Sequence, residues 1–521
     1  MSLYDTKEQS SAHSRTLSEL NLYSFAKNGA NLSYAVDGDV PKFSSTSTDF
    51  SSNPLDFGYN VFIFNRTVDT VNEYVSKLDF TRTFEVPGLK SIQWGGRYTH
   101  RTSSQDAQYV GLYQGAALLG PSPAGLGGVS ATLPFSVRGA TTPSRILSVD
   151  RNAVINAFYP GLDPYSSDQF YNDPTQDALA TYKVVEQTYA GYAQGNFELG
   201  ALSVNAGLRV VTTKTASEGT SLIGTTATPS NVRSNYTNFL PAINARWEVI
   251  PNGLIRATYS RAMTRPTLEQ LSPATIINSG PRTGTRGNPN LRPYLADQQD
   301  LGFEYYFHPG SLITLTGFAK EINSLISQTT VSELAAFPDQ VTGLPTTGVV
   351  AFTQPTNGDS ATVKGIEAGV QSPFYFLPGQ LAYFGGIVNF TYASSNSATR
   401  AADGSTRTTP LPGLSKNSAN VVLYYDHQGI DARLAYAWRS TYLRADGVGA
   451  QFGAERYIRS YGQLDLSMNA FVTRNVQLGA SVNNILDTQR KEYILVDSGA
   501  KLPASLLEQE RRFVLTARLI F

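Results

Sequence analysis

Cysteine is absent from this sequence of 521 residues. Its absence excludes disulfide bonds, thiolate metal sites and cysteine nucleophiles. A surplus of charge of one sign is also missing. The 41 basic residues balance 41 acidic ones, which leaves no electrostatic case for a nucleic-acid partner. No run approaches the roughly 18 consecutive apolar residues of a transmembrane helix, and the N-terminal segment lacks the basic and apolar regions of a signal peptide.

Signs of catalysis are missing as well. The four histidines, His13, His100, His308 and His427, are scattered, and none lies in an H-E-x-x-H motif or beside a plausible nucleophile. The nucleophile motif G-x-S-x-G does not occur, and the glycine-rich stretch at 120–128 lacks the G-K-[ST] that cradles a phosphate. The sequence therefore predicts no enzyme, no catalytic residue, no metal site and no cofactor.

What the sequence does contain is alternation with a period of two. Apolar residues recur at every second position in 202–210, 430–438, 464–472 and 476–482, and polar or charged residues such as Arg209 and Asp465 lie between them. Successive side chains of a strand point to opposite faces. A charged fraction of 16%, against about 25% in typical soluble domains, suits strands with one face in lipid and one in water. The predicted fold class is all-β, an antiparallel transmembrane β-barrel.

Tight and long connections alternate along the chain. Glycine, asparagine and proline mark seven tight turns, at 87–88, 199–200, 251–253, 309–310, 378–379, 428–429 and 474–475. Long polar connections separate them, at 104–180, 215–235, 265–295, 327–360, 397–415, 442–458 and 487–508. Outer-membrane barrels show this parity because one rim has short turns and the other carries extracellular loops. Counting predicts about 15 strands from Asn72 to Phe521 and at least one more within 15–67.

The C-terminal segment alternates once more, and Phe513 and Phe521 are among its apolar positions. An ordinary final strand explains this pattern. We favour the alternative that Phe513 and Phe521 belong to a terminal signal that the outer-membrane barrel-assembly machinery recognises.

Several segments, taken in order, resemble TonB-dependent receptors. Residues 254–267 contain a strand that ends in Arg265-Pro266, and 287–293 read Gly-Asn-Pro-Asn-Leu-Arg-Pro before a strand at 300–307. Residues 363–369 resemble the family's Gly-x-Glu strand, and 483–487 resemble its Asn-Leu-x-Asp segment before the last extracellular loop. The set covers about residues 70–521 and looks like the carbohydrate-associated receptors of Xanthomonas- and Caulobacter-like bacteria.

The resemblance implies a barrel of about 22 strands, of which we expect about 16 in this chain. We expect residues 1–71 to be an N-terminal remnant with one or two barrel strands, and 72–521 to be the C-terminal part of the barrel. The signal peptide, the TonB-contacting segment and the plug domain of the family are then absent.

The function implied by the resemblance is uptake of a scarce nutrient across the outer membrane of a Gram-negative bacterium. The nutrient is an oligosaccharide or, as a second choice, an iron–siderophore complex. The implied partners are outer-membrane lipid, the barrel-assembly machinery, the small-molecule nutrient and, for a full-length member, the TonB complex. A passive porin-like channel and a soluble β-rich binding protein are the alternatives.

The long connection at 104–180 is the candidate ligand-binding loop. It contains Tyr159, Tyr165, Phe170 and Tyr171, whose rings offer flat platforms for sugar rings. Packing of these aromatic residues within the loop explains them equally well. Arg265 is a further candidate ligand contact. Arg265-Pro266 also suits a structural strand end, where proline removes a backbone donor and arginine points into a wet interior.

Overall fold

The structure of the protein is a computed structural model. It describes backbone and side chains for residues 67–107, 175–278, 282–337, 345–358, 360–398, 408–444, 455–496, 499–507 and 509–520, and the backbone alone of the strand and helix segments outside those ranges. Strands make up most of these residues. No helix within them is long and apolar enough to cross a membrane.

The described segments contain 29 strands, the short α-helix α1 (Pro174–Ala180) and a 3-10 helix (Gly379–Tyr383). In chain order the strands are β1 (Ser2–Ala26), β2 (Leu32–Asp37), β3 (Val40–Ser45), β4 (Phe57–Thr83), β5 (Gly88–Tyr113), β6 (Gly128–Thr132), β7 (Arg145–Val149), β8 (Tyr182–Leu199), β9 (Leu202–Ile223), β10 (Thr226–Ile250), β11 (Gly253–Thr264), β12 (Thr275–Asn278), β13 (Thr283–Arg286), β14 (Tyr294–His308), β15 (Ser311–Asn323), β16 (Ile326–Pro338), β17 (Pro345–Asn357), β18 (Ala361–Pro373), β19 (Phe384–Arg400), β20 (Thr406–Thr409), β21 (Asn417–His427), β22 (Ile430–Arg439), β23 (Tyr442–Leu443), β24 (Glu455–Ile458), β25 (Tyr461–Thr473), β26 (Val476–Asn483), β27 (Gln489–Leu495), β28 (Lys501–Glu508) and β29 (Arg512–Leu519).

The main sheet has 17 strands. Its strands pair antiparallel in chain order: β1, β4, β5, β8, β9, β10, β11, β14, β15, β18, β19, β21, β22, β25, β26 and β29. The short β20 pairs with the end of β19. Apart from β20, the sheet thus contains 16 strands in the described segments, which confirms the predicted all-β architecture. The predicted domain boundary between 71 and 72 falls within β4 and stays a prediction.

The register divides the main sheet into two faces, because directly paired residues share a face. The polar face includes Arg209, Thr258, Glu367, Arg433 and Asp465. The apolar face carries large side chains that are exposed: Leu208, Phe239, Ile243, Leu301, Leu315, Ile366, Phe390, Leu423, Leu434, Met468 and Leu478. So large an exposed apolar band is typical of strands that face lipid. The predicted placement of Arg209 and Asp465 away from the apolar face is confirmed.

One edge of the main sheet carries the tight turns. All seven lie where the alternation predicted them, and Gly88, Gly200, Gly310, Gly379 and Gly429 adopt the positive φ that favours glycine there. The turn between β18 and β19 is longer than predicted. It covers 374–383 and contains the 3-10 helix. We call this edge the turn side.

The opposite edge, the loop side, contains the long connections. The predicted connection at 215–235 is wrong, because β9 and β10 run through it as paired strands and turn at 224–225. β-Branched residues such as Thr215 and Thr228 favour this strand extension, and they pair across the hairpin with Ser234 and Ser221. Other connections form small sheets of their own, β12-β13-β17-β16 and β23-β24-β27-β28.

Two apolar clusters pack on the loop side. The first joins Leu179 of α1 and Leu222 of β9 to Ala335, Phe337, Val350 and Phe352 of the β16–β17 hairpin. The second joins Tyr182 and Val184 of β8 to Leu268, Leu271, Ala274 and Leu291, which lie between β11 and β14. Burial of these side chains holds the loop sheets against the main sheet and fixes the loops next to the polar face.

Candidate functional site

Strand β11 separates from β10 before it ends. The β10–β11 pairing stops at Ser260, whereas β11 stays paired with β14 up to Thr264. Pro266 follows shortly after and has no backbone N–H to continue a ladder. Beyond it, Leu271 packs in the same cluster as Val184 of β8. The segment after β11 therefore folds across the polar face of β8.

A buried ionic cluster lies where this segment meets β8. The side chain of Glu186 is 1% exposed; its Oε2 lies 3.2 Å from Nε of Arg265 and its Oε1 lies 3.7 Å from Nη1 of Arg101. Nε of Arg101 lies 3.5 Å from Oε2 of Glu73. A carboxylate as deeply buried as that of Glu186 needs opposite charges nearby, because its desolvation costs several kcal/mol. Here two guanidinium groups balance two carboxylates.

The same cluster borders a cavity of about 260 Å³ on the polar face. Arg97 and Arg209 line it in addition to Arg101, Arg265 and Glu73. Nε of Arg97 donates a hydrogen bond of 3.3 Å to Oγ1 of Thr99, and no carboxylate of the described residues lies within 4.0 Å of Arg97 or Arg209. The carboxylate of Asp79 attracts Arg209 from beyond 4.0 Å but is itself paired with Lys77 at 2.6 Å, so Arg97 and Arg209 leave the cavity with an excess of guanidinium charge. Guanidinium groups bind carboxylates and phosphates through paired N–H donors.

The segment at 287–293 supports the wall of this site. Gly287 has no room for a side chain, because a Cβ there would overlap the carbonyl oxygen of Ser272. Leu291 is fully buried in the second apolar cluster. Nδ2 of Asn357 donates to the carbonyl oxygen of Arg292 at 2.8 Å, and the backbone N–H of Arg292 donates to Oδ1 of Asn357 at 2.9 Å. These contacts hold the returning chain rigidly beside the cavity.

A second ionic cluster lies in the loop sheet β23-β24-β27-β28. The side chain of Glu492 is 1% exposed and lies among Arg444, Arg456 and Arg490, at 2.6, 2.8 and 3.4 Å. One carboxylate therefore has three guanidinium neighbours.

Among the residues predicted from the sequence to bind ligand, the structure brings Arg265 into the ionic cluster with Glu186. Tyr159, Tyr165, Phe170 and Tyr171 lie outside the described residues. Of the two predicted assembly residues, Phe513 is 71% exposed on the apolar face of β29, and Phe521 lies outside the described residues. The ligand and assembly roles of all seven residues stay predictions.

Sequence reasoning missed Glu186, Arg97 and Arg101, and it used Arg209 only as a marker of the wet face. A signal was present, because Arg97 and Arg101 are four residues apart and so share a face of one strand. Their meeting with Arg265 could not be read from a local pattern. No group of three or more His, Asp or Glu side chains is placed to hold a metal ion within the residues that the structure describes.

Comparison with known families gives a match over most of the chain. Residues 7–485 match the family described as TonB dependent receptor-like, beta-barrel. A sequence comparison with curated proteins gave no match.

Comparison with solved structures gives the same fold. The chain is similar to the ferric yersiniabactin uptake receptor FyuA from Yersinia pestis, with 12% identity and a TM-score of 0.52 over 89% of this chain and 57% of that one. It is similar to the ferric citrate transporter FecA, with 11% identity and a TM-score of 0.53 over 99% of this chain and 62% of that one. It is also similar to the siderophore receptor PiuA from Acinetobacter baumannii, with 14% identity and a TM-score of 0.50 over 89% of this chain and 63% of that one. The chain spans less than two thirds of the length of each.

Proposed function

The chain belongs to the TonB-dependent receptor-like β-barrel family of Gram-negative outer-membrane proteins, and on this premise we propose that it forms the barrel wall of a receptor that takes up a scarce nutrient. In such a barrel the polar face lines the lumen and the apolar face meets lipid. The turn side then faces the periplasm and the loop side faces the cell exterior. Energy for transport comes, in this proposal, from the TonB complex.

The observation that carries the proposal is the basic cavity on the lumen wall. Arg97 and Arg209 present guanidinium groups there, and no carboxylate of the described residues lies within 4.0 Å of either. A neutral oligosaccharide gains little from such groups, whereas a carboxylate-bearing ligand binds them with charge-assisted hydrogen bonds. We therefore favour an anionic iron chelate over a neutral oligosaccharide as the nutrient. FyuA, FecA and PiuA, which share the fold, are described as a ferric yersiniabactin receptor, a ferric citrate transporter and a siderophore receptor.

Binding to the purified full chain in detergent tests the site. The probes are ferric citrate, as an anionic iron chelate, and maltohexaose, as a neutral oligosaccharide, in calorimetric titrations. The variant is Arg97→Gln with Arg209→Gln. We expect ferric citrate to bind the unmodified chain and to lose about tenfold in affinity for each arginine removed.

The matched control is Arg256→Gln. Arg256 lies on the same polar face, but its Nε is already bound to Oε1 of Glu304 at 2.7 Å. We expect this variant to bind ferric citrate as the unmodified chain does. Equal binding by the double variant would show that the cavity is not the ligand site. Binding of maltohexaose but not of ferric citrate would show that the nutrient is a neutral sugar rather than an iron chelate.

A passive channel is the rival from another class. The two are separated by uptake into cells in which this barrel is joined to a signal peptide, a TonB-contacting segment and a plug domain, measured with radioactive ferric citrate before and after addition of a protonophore. Energy-coupled uptake stops when the proton gradient collapses, whereas diffusion through a pore continues. Continued uptake, together with a steady open conductance in planar bilayers, contradicts the receptor proposal.

A further inference from the structure

The carboxylate of Glu186 joins two arginines that come from different parts of the chain. Arg101 lies on β5, and Arg265 is the first residue beyond the end of β11. Glu186 lies on β8, with Oε1 3.7 Å from Nη1 of Arg101 and Oε2 3.2 Å from Nε of Arg265. Both arginines line the basic cavity, whereas Glu186 does not. Glu186 therefore acts on the cavity through the two arginines.

Burial makes Glu186 depend on these two arginines. Its side chain is 1% exposed, and neither of its oxygens accepts a hydrogen bond within the part of the chain that the structure describes. Thr215, its direct partner on β9, is buried and uncharged. The two guanidinium groups are therefore the charges that offset the desolvation of this carboxylate.

Arg265 depends in turn on Glu186, and more than Arg101 does. Arg101 has a second carboxylate, because Oε2 of Glu73 lies 3.5 Å from its Nε. Among the described residues no carboxylate other than Glu186 lies within 4.0 Å of Arg265. Without Glu186, repulsion by the other guanidinium groups of the cavity and hydration by water both favour a side-chain conformation in which Arg265 points away from the cavity.

The backbone around Arg265 is fixed independently of Glu186. On one side β11 stays paired with β14 up to Thr264. On the other side Leu268 and Leu271 are buried in the second apolar cluster. Glu186 therefore decides the direction of the Arg265 side chain and not the path of the chain.

We propose that Glu186 is a positioning residue that holds the guanidinium group of Arg265 at the wall of the basic cavity, where it binds an anionic ligand together with Arg97 and Arg209. The inference rests on the proposed function, because it assigns a role within the same ligand site. Glu186 itself does not touch the ligand. Nε of Arg265 faces Glu186, which leaves the two terminal nitrogens of the guanidinium group to donate to a ligand carboxylate.

Charge alone predicts the opposite effect of Glu186. If every arginine kept its place, neutralising Glu186 would raise the positive potential of the cavity and tighten the binding of an anion. If Glu186 positions Arg265, neutralising it removes a guanidinium donor and weakens binding. The sign of the change in affinity therefore separates the two roles.

Calorimetric titration of the purified full chain in detergent with ferric citrate measures that sign. Glu186→Gln keeps the shape of the side chain and removes its charge, and we expect a loss of about tenfold in affinity. Arg265→Gln should lose about as much. The double variant should lose no more than either single variant, because Glu186 acts through Arg265. Glu186→Asp, which keeps the charge, should recover part of the affinity.

The matched comparison is Glu73→Gln, which removes the same charge beside the same cavity. Glu73 is 32% exposed, and its partner Arg101 keeps the carboxylate of Glu186. No arginine is released in this variant. We therefore expect it to bind ferric citrate more tightly than the unmodified chain, by about threefold.

A second measurement does not depend on the ligand. Phenylglyoxal modifies accessible arginine side chains, and peptide mass spectrometry of the ligand-free chain reports the rate at which Arg265 is modified. We expect Arg265 to react several times faster in Glu186→Gln than in the unmodified chain. In Glu73→Gln its rate should not change.

Three results overturn the inference and leave the proposed function standing. They are unchanged or tighter binding of ferric citrate by Glu186→Gln, losses that add in the double variant with Arg265→Gln, and an unchanged rate of modification of Arg265. The proposed function fails instead if ferric citrate does not bind the unmodified chain, and the phenylglyoxal rate then still decides whether Glu186 holds Arg265. Heat-modifiable mobility of each variant on electrophoresis shows that the barrel has folded.

Discussion

Neutralising Glu492 should loosen one loop sheet without affecting the barrel. Its carboxylate is buried among Arg444, Arg456 and Arg490. In Glu492→Gln the three guanidinium groups lose the carboxylate that they share. Breaking a buried ionic network costs about 3–5 kcal/mol, but these arginine side chains are about a third exposed and water solvates part of the freed charge. We expect a loss of about 2–3 kcal/mol in the local stability of the sheet.

Hydrogen–deuterium exchange with mass spectrometry measures this loss. Peptides that cover β24 and β27 should exchange roughly 30 to 150 times faster in Glu492→Gln, since each 1.4 kcal/mol changes the opening equilibrium tenfold. The matched control is Glu333→Gln in the other loop sheet. Glu333 has one arginine partner, Arg286, and is about a third exposed, so its loss should change exchange by no more than about fivefold.

Equal exchange in the two variants would refute this reasoning. It would mean that burial and the number of arginine partners do not set the contribution of a carboxylate to these sheets. Faster exchange in β25 or β26 would contradict the separation of the loop sheet from the barrel wall.

Two further predictions follow from single positions. Gly365→Ala should lower stability by about 1–3 kcal/mol in urea unfolding of the detergent-solubilised barrel, because its Cβ would meet the carbonyl oxygen of Tyr392 and the Phe318 ring. The control is Gly317→Ala, whose Cβ faces open space, and it should be neutral. Equal unfolding midpoints for the two variants would contradict the packing argument. Burial, with a smaller effect of the Glu455 carboxylate, raises the pKa of Tyr457 above its ordinary value of 10.0. We therefore expect Tyr457 to stay protonated at pH 11 in the folded chain. Its contribution to the free energy of unfolding is fully present below about pH 10 and is lost as the pH rises through the raised pKa. Tyr457→Phe should therefore leave the 295 nm absorbance of the folded chain unchanged at pH 11 and lower that of the denatured chain by one tyrosinate; a drop in the folded chain would show that the pKa of Tyr457 is not raised.

The barrel strands could be predicted from the sequence because their signal is local. Alternation places Arg209 and Leu208 on opposite faces of β9 whatever the rest of the chain does, since consecutive side chains of a strand point in opposite directions. Turn residues with positive φ, such as Gly310, mark the hairpins at the turn side in the same local way.

The loops could not be predicted to the same depth. Residues 215–235 are rich in threonine, serine and asparagine, and polarity alone suggested a connection, whereas pairing along the barrel rim extends β9 and β10 through them. The small sheets of the loop side depend on pairing between distant segments, such as β13 with β17. No local period reports such pairing.

The sequence by itself determined the number of main-sheet strands, the two faces, the positions of the seven tight turns, and the family. Only the tertiary structure decided that Glu186 meets Arg265 and Arg101. The physical reason is that the alternation within one strand decides which face a residue occupies. The distance between residues far apart in the chain depends instead on the register of every strand between them, and on where a strand such as β11 separates from its neighbour.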